Sequence, residues 1–305
     1  MPMKWKRGAK SRDVIDVRGA SGGSSGGGGG LPIPGGLGGI GGGAGLIVVI
    51  VIVAINVLGS GSGGTGFDLP GLGGATAPGA DDPQPLPPGE DPQAELKDFS
   101  AYVFDDAQDV WESTFDRSGD AYDTAKLVLY SGAVRTDGCG GATSAVGPFY
   151  CPADERVYLD LSFYGEMRRQ LGASGDFAWA YVIAHEMGHH VQRMTGTSDA
   201  VERLSRSEPA DANELSVRQE LQADCYAGVW AATVYAEGAL EPGDLDEAFN
   251  AAEAVGDDRL QRQATGSVDP DSFTHGTSEQ RRTWFERGYR SGDPGDCDTF
   301  AAETL

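Results

Sequence analysis

The sequence predicts an α+β protein, mainly helical with a small β-sheet, built from the residues after about position 95 of a 305-residue chain. Three observations point there. Apolar residues recur at helical spacing in several stretches after Leu96. Two short runs, near Lys126 and near Glu155, are rich in β-favouring residues. The first 95 residues have too little to bury for a core of their own.

Residues 1–36 read as a basic, Gly-rich tail. Lys4, Lys6, Arg7, Lys10, Arg12 and Arg18 stand there against only Asp13 and Asp16. No charged residue occurs between Arg18 and Asp68, and Leu46 to Leu58 is a dense apolar run. Extended back to Leu37, it gives about the 20 residues that a bilayer core needs. Residues 37–58 are therefore expected to form one transmembrane helix. A cleaved signal peptide is the rival, but Leu58-Gly59-Ser60-Gly61-Ser62 lacks a clean small-x-small cleavage site. The basic flank puts the N-terminus in the cytoplasm and the C-terminal domain outside, anchored in the cell membrane. Residues 59–95, rich in Gly, Pro and Asp, read as a flexible linker. One domain, 96–305, remains. The chain carries a net charge of −23, and its start is basic, so the domain is more acidic still. That disfavours nucleic acid as a partner. Oligomeric state is not legible.

In the domain, Leu96, Phe99, Val103, Phe104, Val110, Trp111 and Phe115 mark one helix broken near Asp105, or two short ones. Lys126 to Val134 and Glu155 to Leu161 read as strands. A helix is expected from Ser162 to Leu171, stopped by Gly172. A longer one runs from about Asp176 to Gly196. A loop leads to a helix over about Ala210 to Glu237. Leu245, Phe249 and Ala252 mark another helix, and Thr277 to Gln280 forms a capping box that opens the last.

The most informative stretch is His185-Glu186-Met187-Gly188-His189. Histidines at i and i+4 stand one helical turn apart on one face, so both imidazoles can reach one metal ion. Glu186 lies beside them, placed to take a proton from a metal-activated water. A hydrolytic zinc site wants a third protein ligand and an open position. Glu220 is the candidate, on the following helix. Asp224, four residues on, faces the same way and is placed to accept a hydrogen bond from a ligand histidine. The pattern points to Zn²⁺-assisted hydrolysis. His275 is the candidate oxyanion donor, as a loop residue free to swing toward the site; Tyr150 and Tyr158 are weaker ones. His190 should point off the ligand face. Gly188, costly inside a helix by about 1 kcal/mol, implies close approach of a neighbouring backbone such as the Glu220 helix. Cys139, Cys151, Cys225 and Cys297 form an even set on the expected outer side, which suggests disulfides with three connectivities open. Cys225 follows Asp224 and points about 100° away from it, so it is a poor metal ligand.

Several stretches together resemble the bacterial neutral zinc metallopeptidase family, whose members are mostly membrane-anchored. They are Cys139-Gly140, Gly147 to Pro152, Val157 to Asp160, His185 to His190, Glu220 to Cys225 and Phe273 to Ser278. The arrangement of two motif histidines and a downstream glutamate is shared with gluzincin-type peptidases. The resemblance implies a zincin-like fold, Zn²⁺ on His185, His189 and Glu220, Glu186 as general base, and a protein or peptide substrate. It also favours the pairs Cys139–Cys151 and Cys225–Cys297. Hydrolysis of another amide bond, as in peptidoglycan, and a catalytically silent interaction scaffold are the alternatives.

Overall fold

Long helices wrapped on one face of a small sheet make up the computed structural model, which describes residues 3–5, 11–20, 77–81, 83–87 and 89–305. The sheet has the order β1(Val14–Asp16), β2(Lys126–Tyr130), β6(Arg156–Asp160), β5(Phe149–Cys151). β1 and β6 flank β2 in parallel, and β5 pairs antiparallel with β6. A separate hairpin joins β3(Ala133–Arg135) to β4(Gly141–Thr143). Alternation sorts the side chains of β2 and β6. Leu127, Leu129, Val157 and Leu159 enter the main helical core, while Val128, Tyr130 and Tyr158 enter a smaller cluster on the other face. Covered on both faces, β2 reads as a continuous apolar run.

The helices are α1(Ala94–Ser118), α2(Phe163–Glu166), α3(Asp176–Met194), α4(Thr197–Ser207), α5(Ala212–Ala236), α6(Asp244–Ala254), α7(Asp257–Thr265) and α8(Ser278–Ser291). The α+β reading holds. α5 is buried without a break from Gln219 to Ala231, because α3 covers one side and α8 the other. Glycines set both spacings. A Cβ on Gly188 of α3 would lie 2.8 Å from the Ala223 carbonyl oxygen of α5. Where α5 crosses α8, a Cβ on Gly228 would lie 2.1 Å from the Phe285 oxygen, and one on Gly288 would lie 1.9 Å from the Cys225 oxygen. No other residue fits these three positions without moving a helix backbone. The expected capping box opens α8: Gln280 N–H donates to Thr277 Oγ1 (3.1 Å) and Thr277 N–H to Gln280 Oε1 (2.8 Å).

Local expectations change in five places. α1 is continuous through Asp105, its buried face running from Phe99 through Val103, Phe104 and Ala107 to Trp111 and Phe115. The run expected as one strand over Lys126 to Val134 turns at Gly132, which has φ 77°. The helix expected over Ser162 to Leu171 continues after α2 as a π-turn, Met167–Leu171, and ends at Gly172 as anticipated. α4 was expected as loop, and α7 was not marked. Each of these polar helices buries a single apolar residue, Val201 or Leu260, too little for a readable stripe.

The largest difference concerns the N-terminal segment. The sequence placed residues 1–36 in a tail on the far side of a membrane and began the domain at 96. Instead, Val14, Ile15 and Asp16 pair with Leu127, Val128 and Leu129 of the domain sheet. Met3 is buried in the main core, and Trp5 packs edge-on against Phe99 at 5.5 Å. The Arg18 guanidinium is fully buried. Its Nη1 and Nη2 donate to Asp91 at 3.1 and 2.6 Å, and its Nε and Nη2 to Asp16 at 2.9 and 2.7 Å. A planar fork shared by two carboxylates is the geometry that compensates burial of an arginine. The basic excess that suggested a cytoplasmic flank thus includes a structural residue. The expected flexible linker 59–95 is packed onto the domain where it is described: Gly79 bridges to Arg135, Ala80 is buried, Gln84 N–H donates to the Asp16 carbonyl (2.9 Å) and Asp91 holds Arg18. Among the described residues, no helix is long and apolar enough to cross a membrane. The apolar run 37–58 lies outside them.

Candidate metal centre

α3 presents His185, Glu186 and His189, and α5 presents Glu220 and Asp224 across the Gly188–Ala223 contact. Gly188 falls between the two histidines and Ala223 between the two acids, so the contact sets how far the glutamate reaches between the histidines. His185 Nε2 lies 3.2 Å from Glu220 Oε2, and His189 Nε2 lies 3.4 Å from Glu220 Oε1. Ligands at zinc-like bond lengths in a tetrahedron stand roughly 3.3 Å apart. Each imidazole thus stands at about that distance from one oxygen of the Glu220 carboxylate, and one donor atom from each of the three residues lies within 4.8 Å of the others, close enough for one cation to be held between them. The electrostatics agree. Glu186, Glu220 and Asp224 are buried, and among the described residues Arg281 is the permanent cation beside them. Ionised, they leave an excess of negative charge that a dication neutralises. The residues fit Zn²⁺.

Each candidate ligand histidine is held through its other nitrogen. His185 Nδ1 lies 2.9 Å from Asp224 Oδ1. His189 Nδ1 lies 2.9 Å from Gln192 Oε1. An Nδ1–H donated to these oxygens leaves Nε2 free for a metal. Asp224 is fully buried and richly satisfied: Tyr181 Oη–H donates to Oδ1 (2.5 Å), Arg281 Nε to Oδ2 (2.8 Å) and Arg281 Nη2 to Oδ1 (3.0 Å).

Burial opposes a charge on the His185 ring, but Asp224 and Glu220 on its two sides outweigh burial and push its pKa up to about 10. The charge that a proton carries there is the charge a metal cation would supply. Burial also opposes ionisation of Glu220, yet His189, His275 and His185 hold its carboxyl well below the usual carboxylate range. Asp224 is held down against the same penalty by Arg281 and His185. Glu186 moves the other way. Burial raises its carboxyl, the direction required of a proton acceptor that must later give the proton back.

His275 is not a swinging loop residue. The Asp257 carboxylate caps its whole turn: Oδ2 accepts the backbone N–H groups of Thr274 (2.7 Å), His275 (2.6 Å) and Gly276 (3.1 Å). Asp257 Oδ1 stands 3.4 Å from His275 Nδ1. The ring is largely but not fully covered, with 12% of the side chain exposed. Burial lowers the His275 pKa, but Glu220 and Asp257 together raise it. Tyr150 and Tyr158 are not brought to the site. Tyr150 Oη bonds His190 Nδ1 (3.0 Å), and Tyr158 Oη donates to Asp154 (2.6 Å). His190 points away from the ligand face, as expected. It is fully buried, its Nε2–H donates to the Asp123 carbonyl (2.7 Å), and burial lowers its pKa, so it is a neutral packing group.

A second cluster, Asp176, Asp244 and Glu247, also has metal-like spacing. Its carboxylates serve backbone instead: Glu247 accepts from Phe177 N–H at the start of α3 (3.0 Å) and Asp244 from Glu241 N–H (2.8 Å). The disulfides Cys139–Cys151 and Cys225–Cys297 are both present.

Arg281, Tyr181, Gln192 and Asp257 were missed by sequence reasoning. Arg281 had a signal. It shares the i, i+3, i+4, i+7 face of α8 with Trp284, Phe285 and Gly288, and a charge on an apolar stripe needs a buried partner. Gln192 follows His189 by three residues, hence on the same helical side. Tyr181 precedes His185 by four residues, which puts it on that histidine's side of the helix as well, whereas Asp257 carried no such mark.

The chain is 48% identical over 300 residues to "Uncharacterized protein YpfJ" of Escherichia coli (strain K12), covering 98% of this chain and 99% of that protein. It is also 48% identical over 195 residues to "Uncharacterized protein Rv2575" of Mycobacterium tuberculosis, covering 60% of this chain and 65% of that protein. No solved structure matches it. The family described as "Putative neutral zinc metallopeptidase" matches residues 3–300, a span that takes in the N-terminal strand as well as the metal centre. The chain belongs to this zinc metallopeptidase family.

Proposed function

We propose that the protein is a zinc-dependent peptidase that hydrolyses peptide bonds in a protein or peptide substrate, with Glu186 as general base. The observation that carries this is the buried Glu186 carboxyl beside His185, His189 and Glu220, whose donor atoms lie within 4.8 Å of one another. When bound by His185, His189 and Glu220, Zn²⁺ supplies a more acidic water and polarises the scissile carbonyl. Glu186 takes the proton of the attacking water and hands it to the leaving amine. His275, fixed by Asp257, donates to the carbonyl oxygen as negative charge builds there. Arg281 and Tyr181 hold Asp224, and Asp224 holds His185.

Two variants separate these roles. Glu186→Gln should keep zinc and the fold but lower hydrolysis by about 10²–10⁴-fold, the usual contribution of a general base. Asp224→Asn should weaken zinc binding by about 10–100-fold. It should also lower stability, because Arg281 loses a buried counter-charge. Zinc content by competition with a chromophoric chelator and peptide hydrolysis on the same samples check both. Unchanged hydrolysis in Glu186→Gln would rule out the assigned base.

We also infer that the domain works in an oxidising compartment outside the cytoplasm, on the strength of its two disulfides. The N-terminal segment must share that compartment, since β1 and Arg18 are built into the domain. This replaces the expectation of a cytoplasmic tail. Protease added to spheroplasts should remove an N-terminal tag and digest the domain alike. A protected tag beside a digested domain would contradict this topology.

A further inference from the structure

The two candidate ligand histidines are oriented by unlike groups. His185 faces a carboxylate, Asp224. His189 faces a neutral amide, Gln192, which has no charge to favour one ring nitrogen. The direction of that hydrogen bond has to come from elsewhere, and the neighbouring contacts supply it.

Gln192 is fully buried, and Gln222 on α5 nearly so. Gln222 Nε2 lies 3.1 Å from the Cys297 carbonyl oxygen. A carbonyl only accepts, so Gln222 must present its NH₂ group there and turn Oε1 the other way. Gln222 Oε1 then accepts from Gln192 Nε2 at 3.1 Å. The same NH₂ group donates to the Gln219 carbonyl at 2.7 Å. With both hydrogens of Gln192 committed, its Oε1 is the atom that faces His189. An amide oxygen only accepts, so the hydrogen of His189 sits on Nδ1 and the lone pair on Nε2, toward Glu220. Each bond in the series allows one direction only. The far end is fixed covalently, because Cys297 is fully buried and joined by its disulfide to Cys225, which lies on α5 three residues after Gln222.

We propose that Gln192 and Gln222 are positioning residues that carry the fixed direction of the Gln219 and Cys297 carbonyls to His189, holding it in the Nδ1–H form with Nε2 presented to the metal. The role rests on His189 being a zinc ligand. Gln192 makes the contact with the ring. Gln222 ties Gln192 to the segment that the Cys225–Cys297 disulfide staples to α5. The metal half of the site is thereby linked to the chain's C-terminal segment, and Arg281 on α8 does the equivalent for His185 through Asp224.

The test uses the full chain and two measurements. Long-range nitrogen–proton NMR of labelled histidines, in the zinc-free protein at alkaline pH, reports which ring nitrogen of His189 carries hydrogen. Chelator competition reports zinc affinity. In the parent protein, His189 should be the Nδ1–H form. Gln192→Leu should mix the two forms and weaken zinc by about 10–100-fold, the usual effect of losing a ligand-orienting partner. Gln222→Leu should weaken zinc less, and the double variant should be no worse than Gln192→Leu alone, since both act through one chain of bonds. Gln192→Glu keeps an acceptor toward His189, so it should retain the Nδ1–H form; this variant stands in if Gln192→Leu does not fold. A parent His189 in the Nε2–H form, an unchanged ring in Gln192→Leu, or additive losses in the double variant would overturn the proposal. His189→Ala separates this from the ligand assignment. Full zinc retention there removes His189 from the ligand set, whereas the ring measurement judges the relay by itself.

Discussion

Everything at the metal centre depends on how closely α3 and α5 approach at Gly188. Its missing side chain lets the Ala223 carbonyl oxygen come within 2.8 Å of where a Cβ would be. A glycine inside a helix costs about 1 kcal/mol relative to alanine. Here that cost is offset by function and packing together. With the helices any further apart, the Glu220 side chain could not reach both imidazoles at 3.2 and 3.4 Å, nor Asp224 the back of His185 at 2.9 Å. The same device is repeated on the other side of α5, where Gly228 and Gly288 let α8 come close enough for Arg281 to grip Asp224. The Cys225–Cys297 bond then ties α5 to the segment that follows α8.

Close packing of this kind buries charges, and the site works only because they compensate one another. Asp224 has no exposed surface and would be costly to ionise alone. Arg281, Tyr181 and His185 satisfy both of its oxygens. Asp257 repeats the arrangement in the His275 turn with three backbone donors. These are the groups that fix direction, and they sit behind the residues that would touch a metal or a substrate. The N-terminal segment follows the same logic at the opposite edge of the fold, with Arg18 between Asp16 and Asp91.

The candidate metal site was the most legible part of the sequence because its geometry is local. His185 and His189 are fixed relative to each other by the helix period alone, and Glu220 and Asp224 likewise. The pairing of the two helices was inferred from the missing third ligand, which pointed to Glu220 and Asp224, and from Gly188, whose cost demanded a neighbour. What stayed hidden depends on contacts between residues far apart in the chain. Asp257 is a surface-looking acid in a polar helix until the fold brings the Thr274–Gly276 backbone against it. β1 has three residues and no alternating pattern long enough to read, and its pairing with β2 crosses more than 100 positions. Read locally, its basic neighbours resembled a membrane flank. The helices α4 and α7 bury one apolar residue each, below what periodicity can register.

The central claim is that His185, His189 and Glu220 form one zinc site. Zinc-edge X-ray absorption on the zinc-loaded full chain tests it directly. The account predicts one zinc per chain with only nitrogen and oxygen neighbours at about 2.0–2.2 Å, and the multiple-scattering signature of two imidazoles. In His189→Ala that signature should fall to one imidazole or the metal should be lost. A sulfur neighbour at about 2.3 Å, or an unchanged spectrum in His189→Ala, would contradict it.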